Sequence, residues 1–78
     1  MWQFNIDRFA VMIELWLDMH DLTRGELAEL AGIGVSTLYA LKKGEYAPSM
    51  AQLTAICNVT NIPPETFFKK VVKKNNGQ

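Results

Sequence analysis

The sequence has few of the residues that hold a small protein together covalently or through a metal. Its 78 residues include one cysteine and one histidine, which excludes an internal disulfide and leaves too few ligands for a Cys/His zinc site. We therefore expect Cys57 to be a thiol of the apolar core in a reducing compartment. His20 has no second histidine or cysteine near it, so a surface or helix-end position is expected. The sequence predicts no metal and no cofactor.

Long apolar runs are also missing. No stretch reaches the roughly 20 apolar residues that span a membrane. Asp7, Arg8 and Glu14 interrupt the apolar N-terminal segment, which also lacks the basic start of a secretion signal. The sequence therefore predicts no membrane association and a cytoplasmic location.

The motifs of enzymes are absent as well. The sequence contains no Gly-rich phosphate loop and no clustered Ser-His-Asp arrangement. Glu26 and Glu29 are three residues apart on a predicted helix, where a solvated face is far more common than an acid/base pair. We expect no catalytic residues and no enzymatic activity.

Net charge is absent, but charge is unevenly distributed. Residues 1–33 contain two basic and six acidic side chains, whereas residues 34–78 contain six basic and two acidic ones. A net charge of zero argues against a nucleic-acid binder. A polarised molecule can still present a positive face to phosphates, although the same pattern can serve solubility alone.

What the sequence does contain is enough apolar material for one core. Hydrophobic residues make up 49% of the chain, which suits a single domain near the lower size limit for independent folding. We predict one domain over residues 1–74 and a frayed tail over residues 75–78.

The stretch from Thr23 to Gly44 predicts two short helices joined by a tight turn. Thr23 and Glu26 form a capping box at the start of the first helix. Gly32 can adopt the positive φ that a sharp helix-to-helix turn requires, and Gly34 can cap the second helix. Two helices joined by such a turn match the helix-turn-helix signature. The residues expected to face inward are Leu27, Ala28, Leu30, Ala31, Ile33, Leu38 and Leu41.

Three further helices are predicted on either side of this motif. Apolar spacing predicts a helix over residues 6–19 capped by Asn5, and a capping box that Ser49 begins predicts another over residues 49–58. A last helix is predicted over residues 64–74, with phenylalanines and valines on one face and lysines on the other. The result is an all-α, compact five-helix fold with no strand. Residues expected on the apolar side of the helix over 49–58 are Met50, Leu53, Ile56 and Cys57.

These residues resemble the Cro/C1-type (XRE-like) helix-turn-helix family of phage repressors and bacterial regulators. The positions that carry the resemblance are Thr23, Arg24, Leu27, Ala28, Gly32, Ile33, Ser36, Leu38, Leu41 and Gly44, and it continues through Pro48 and Leu53 to Phe67 and Phe68. The resemblance implies a lambda-repressor-like DNA-binding domain, with the helix-turn-helix at about residues 23–43. It also implies the cytoplasm of a bacterial cell or a phage-infected host.

The resemblance implies a repressor that binds double-stranded operator DNA, usually as a homodimer, with the second helix of the motif in the major groove. The positions implied to read bases are Val35, Ser36, Tyr39 and Ala40. The positions implied near phosphates are Thr23, Arg24, Thr37, Lys42, Lys43 and Tyr46. The helix offers no Arg, Asn or Gln for bidentate base contacts, so methyl contacts and DNA shape are expected to dominate the readout.

Two positions depart from the family pattern. Many members pair an Arg near the end of the first helix with a Glu at the end of the recognition helix, whereas this chain has Leu17 and Lys42 there. The fold tolerates this exchange if Leu17 packs inside and Lys42 points outward. Arg24 stands where the family typically has Gln, which keeps a hydrogen-bond donor and changes its geometry.

Excess apolar surface favours a second function, that of a phage anti-repressor or modulator which grips a repressor protein instead of DNA. The helix over residues 6–19 carries apolar residues around more than half of its circumference. Either this helix is unusually buried within its own domain, or a second face of it meets a partner. The N-terminal aromatic residues have two open interpretations, an interface or packing against the last helix. The interface candidates are Trp2, Phe4, Val11, Leu15, Met19, Phe68 and Val72.

Overall fold

The computed structural model describes residues 1–71, a bundle of helices closed at one side by the paired chain ends. Strand β1 and helix α1 come first, followed by the two helices of the motif, a fourth helix, a 3-10 helix and a second strand. Their bounds are β1 Trp2–Phe4, α1 Ile6–His20, α2 Arg24–Ala31, α3 Val35–Lys43, α4 Met50–Thr60, the 3-10 helix Pro64–Phe67 and β2 Phe68–Lys70. The predictions for Val72 and for the tail over residues 75–78 lie outside the described residues.

The helix starts follow from local side-chain chemistry, as the sequence predicts. Asn5 caps α1 with its side-chain oxygen. Thr23 Oγ1 accepts a hydrogen bond from the Glu26 amide at 3.1 Å, and Glu26 Oε1 accepts one from the Thr23 amide at 2.8 Å. Ser49 and Gln52 form the same reciprocal pair at the start of α4. Both capping boxes are thereby confirmed, because each satisfies two amides that the helix leaves unpaired.

The turn between α2 and α3 is fixed by its backbone conformation. Gly32 has φ 71°, in the left-handed region that a residue with a Cβ rarely adopts. The Ile33 amide donates to the Ala28 carbonyl at 2.9 Å, which reverses the chain at the end of α2. Gly34 then begins α3 without a side-chain cap. The helix-turn-helix geometry predicted from the sequence is confirmed.

The core lies where all four helices and the 3-10 helix meet. Cys57 belongs to it, as predicted, and burial raises the pKa of its thiol. Leu30 and Met50 are exposed, so the prediction that they face inward is wrong. Leu30 lies to one side of the α2 stripe that meets the core, and Met50 is the first residue of α4, before the packed turn. The core residues are Phe9, Ile13, Leu17, Leu27, Ala28, Leu38, Leu41, Leu53, Ile56, Cys57 and Phe67.

The fifth predicted helix is wrong. After the single 3-10 turn the chain extends as β2, which pairs antiparallel with β1 so that Phe4 lies opposite Phe68. We call this pair of strands the β-ribbon. Hydrogen bonds of 2.7 Å close it at both ends, from the Asn5 amide to the Phe67 carbonyl and from the Val71 amide to the Met1 carbonyl. A strand forms because the N-terminal segment offers its backbone groups as a partner, which a pattern read along one segment does not reveal.

The ribbon also decides between the two interpretations of the N-terminal aromatics. The Phe4 ring packs 5.3 Å from the Phe9 ring and 5.8 Å from the Phe68 ring, measured between centroids. Phe4 and Phe68 therefore close the core instead of forming a free surface, whereas Trp2 is exposed. Over residues 1–71, every helix is too short or too polar to cross a membrane.

Candidate nucleic-acid interface

Helix α3 presents a row of side chains outward because its inner side is anchored. Leu38 and Leu41 are fully buried, so the remaining faces of this nine-residue helix turn away from the core. Of the residues implied to read bases, three are exposed and the last is half-buried: Val35, Ser36, Tyr39 and Ala40. The structure therefore brings all four to the outer side of one helix.

The residues implied near phosphates are more dispersed. Lys43 and Tyr46 are exposed at and just after the end of α3, and Thr37 is half-buried on α3. Thr23 is exposed at the start of α2, where its hydroxyl already accepts the Glu26 amide of the capping box. Thr23 thus lies at one end of the motif and Lys43 and Tyr46 at the other, with Thr37 between them on α3.

Arg24 and Lys42, the other two residues implied near phosphates, both pair with the carboxylate of Glu14, which the sequence did not indicate as part of the site. Arg24 donates from Nε to Glu14 Oε2 at 2.9 Å and from Nη2 to Glu14 Oε1 at 3.0 Å, a bidentate pair. The ammonium of Lys42 contacts the same Glu14 Oε2. Glu14 on α1 thus joins the start of α2 to the end of α3.

Lys42 therefore does not point outward, so the fold accommodates the exchange at positions 17 and 42 in a different way from the one expected. Its side chain is 12% exposed, because it folds over α1 to reach Glu14. Leu17 is buried in the core, as the exchange at that position requires. The structure thus has an ion pair between α1 and the end of α3, but the acid is on α1 and the base on α3, the reverse of the family pattern. The acid is Glu14, about one helical turn before position 17.

Arg24 also connects this ion pair to the outward row of α3. Its Cζ lies 5.6 Å from the centroid of the Tyr39 ring, within cation–π distance. The order of contact is Lys42, Glu14, Arg24 and Tyr39, so the chain of contacts begins and ends on α3. Glu14 could not be assigned to this site from its own segment, where it is one of several charged residues that interrupt an apolar run. The signal was a carboxylate on the flank of α1 with unmatched cations at positions 24 and 42.

The electrostatics of the cluster follow from these contacts. Hydrogen bonds from Lys42 and Arg24 lower the pKa of Glu14, against an opposing effect of partial burial. The same pair with Glu14, helped by Tyr39, raises the pKa of Arg24. Glu14 and Arg24 are therefore both charged at neutral pH, and the carboxylate offsets part of the positive charge of the two cations beside it.

A second exposed surface lies on the opposite side of α1 from the core. Here Val11 is 57% exposed, Leu15 53% and Met19 78%. Their spacing of four residues places them on one stripe, as the sequence analysis expects for an interface. We call these three residues the α1 stripe.

No group of three or more potential metal ligands occurs within residues 1–71. His20 is the exposed last residue of α1, and its ring lies 4.6 Å from that of Trp16. Nothing in the described part of the chain gives this histidine the neighbours that a metal site needs.

We predict that replacing Glu14 with Gln flattens the acid side of the stability profile. The folded state lowers the pKa of Glu14 from its ordinary value of 4.5, so its stabilising contribution is complete above that value and is lost as the pH falls through the lower folded pKa. Melting temperatures between pH 7 and pH 3 measure this. The wild-type advantage over E14Q should be constant near neutrality and shrink in acid. Parallel curves over the whole range would contradict the ion cluster.

Comparison with known proteins gives one match. A family model described as helix-turn-helix matches residues 13–67, which is 55 of the 78 residues and runs from the middle of α1 to the end of the 3-10 helix. Neither the curated proteins nor the solved structures contain a match to the chain. The match includes α2, the Gly32 turn and α3, whose geometry is described above. The chain therefore belongs to the Cro/C1-type (XRE-like) helix-turn-helix family of DNA-binding transcription regulators.

Proposed function

We propose that the chain is a sequence-specific, Cro/C1-like repressor that reads the major groove of an operator with α3. The observation that carries this proposal is the anchored α3, with two buried leucines on one side and the row from Val35 to Ala40 on the other. A helix held this rigidly by the core can enter the groove without rearrangement.

The side chains of α3 support a readout that relies on apolar contacts. Val35 and Ala40 can contact thymine methyl groups, and Ser36 can either donate to or accept from a base edge. Tyr39 can reach a base or a phosphate. Because α3 lacks Arg, Asn and Gln, DNA shape supplies a large share of the discrimination.

The phosphate contacts come from both ends of the motif. Lys43 and Tyr46 serve the end of α3, and Thr23 and Arg24 serve the start of α2, where the helix dipole also favours an anion. Thr37 donates from the side of α3. Lys42 is the weakest member of the set, since its ammonium is engaged by Glu14.

A homodimer is part of this proposal. One small module covers only a half-site, so two copies related by a two-fold axis would bind a pseudo-palindromic operator. The α1 stripe is one candidate for the dimer surface, because its three apolar side chains are exposed on one side of α1, and Trp2 is a second candidate.

A second candidate function is that of an anti-repressor, which uses this fold to bind a repressor protein. The α1 stripe favours it, because three exposed apolar side chains in a row on a small domain are typical of a protein-binding surface. The capture of Arg24 and Lys42 by Glu14 also reduces the positive charge available for DNA.

The first prediction from the proposed function compares two exposed valines on different helices, Val35 on α3 and Val11 on α1. Val35→Ser removes a methyl contact in the groove, and we expect operator affinity to fall roughly fivefold, for a loss of about 1 kcal/mol. Val11→Ser makes the same chemical change on the α1 stripe. On a half-site duplex, which a single protomer occupies, V11S should bind as the wild type does, whereas V35S should bind more weakly. The operator is first selected from random duplexes at low salt, and affinities are then measured by fluorescence anisotropy.

Two results of this experiment oppose the proposal. If no duplex is retained in the selection, the anti-repressor function becomes the better account of the fold. If V35S and V11S bind the half-site duplex equally well, α3 is not the reading helix.

The second prediction tests the α1 stripe with two exposed leucines. Leu15→Glu places a charge in the middle of the stripe and should dissociate a dimer or release a protein partner. Leu30→Glu makes the same change on α2 and should leave association intact. Sedimentation equilibrium measures self-association, and binding to a separate repressor is measured alongside it. Identical association of L15E, L30E and the wild type would exclude the stripe as an interface.

A further inference from the structure

One carboxylate organises the DNA-facing side of this molecule, although it belongs to neither helix of the motif. Glu14 lies on α1 and contacts the first residue of α2 and the eighth residue of α3. Its side chain is 42% exposed, so the cluster is open to solvent and to an approaching phosphate. Phosphate oxygens and this carboxylate would therefore bind the same cations.

The pair with Glu14 fixes the direction of the Arg24 guanidinium. Two of its nitrogens donate to the two carboxylate oxygens at 2.9 and 3.0 Å, a geometry that restrains rotation of the planar group. With the guanidinium held there, its carbon lies over the Tyr39 ring at 5.6 Å. Glu14 thus acts on Tyr39 through Arg24, across three helices.

Lys42 is withdrawn from the surface by the same carboxylate. At 12% exposure, its side chain has little contact with solvent, whereas the neighbouring Lys43 is exposed. A phosphate would have to compete with Glu14 for Lys42, and the attraction would be reduced by the negative charge already present.

From these contacts we infer that Glu14 is a positioning residue. It lowers the affinity of the protein for DNA of any sequence and raises its discrimination between sequences. It presents Tyr39 in one orientation for base reading and holds Arg24 and Lys42 back from full phosphate contact. This inference rests on the proposed function. It assigns to Glu14 a role that neither the charge count nor the motif residues indicate.

The experiment uses the full chain and three variants. Glu14→Gln keeps the shape of the side chain and removes the negative charge. The double variant E14Q/K42Q has the same net charge as the wild type and removes the lone ammonium, so it isolates Arg24. Glu29→Gln removes one exposed carboxylate from α2 and controls for long-range charge. Thermal unfolding of each variant confirms that the binding measurements use folded protein.

Binding is measured to a selected duplex and to a random duplex between 50 and 200 mM KCl. The slope of log affinity against log salt should steepen by about 0.9 for each cation that gains a phosphate. For E14Q/K42Q, one such contact makes the affinity fall by an additional factor of about 3.5 over this salt range. E14Q should show at least this change, and E29Q should show the wild-type slope.

Discrimination should change in the opposite direction. E14Q and E14Q/K42Q should bind the random duplex more tightly than the wild type at 50 mM KCl. Their ratio of selected to random affinity should fall, because Tyr39 is no longer held by Arg24. A role confined to fold stability would change neither the salt slope nor this ratio once the protein is folded.

The outcomes separate the two proposals. If the wild type binds DNA and E14Q/K42Q has the wild-type slope and ratio, the inference about Glu14 is wrong and the proposed function stands. If E29Q steepens the slope as much as E14Q does, general charge explains the effect and the inference is also wrong. If the wild type retains no duplex at 50 mM KCl, the proposed function fails and the inference fails with it.

Discussion

The bidentate pair between Glu14 and Arg24 ties the helix-turn-helix to the rest of the domain by charge as well as by packing. Apolar contacts position α2 and α3 on the core, but they are non-directional and leave the polar rim free. The carboxylate adds direction, because the planar guanidinium of Arg24 donates both hydrogen bonds to it in only a narrow range of geometries. Lys42 contacts the same carboxylate from α3. Three helices are thereby fixed relative to each other at the side where DNA would bind.

Helix α1 combines three chemically distinct sides on 15 residues. One side contributes Phe9 and Ile13 to the core, a flank carries Glu14, and the far side carries the α1 stripe. This explains why its apolar residues extend beyond a single face. It also helps to account for a neutral protein in a family that binds DNA, because Glu14 on α1 pairs with two cations while Lys43 at the end of α3 stays exposed.

The parts of the fold that depend on local chemistry could be predicted from the sequence. Capping at Thr23 and Ser49 and the left-handed Gly32 follow from residue types a few positions apart. The β-ribbon could not be predicted in this way, since the strand at Phe68 forms only against a strand at the other end of the chain. The outward position of Val35, Ser36 and Tyr39 could be predicted, because Leu38 and Leu41 turn the other side of α3 into the core. The inward turn of Lys42 could not, because it depends on a carboxylate 28 residues away on another helix.

The central claim is that α3 and the start of α2 form the surface that meets DNA. Amide chemical shifts of the ¹⁵N-labelled chain, followed while a retained duplex is added at low salt, test this claim residue by residue. The account predicts that the largest changes fall on residues 35–40 and 23–25, with residues 51–59 of α4 little affected. Changes concentrated on residues 11–19, with α3 unaffected, would contradict it.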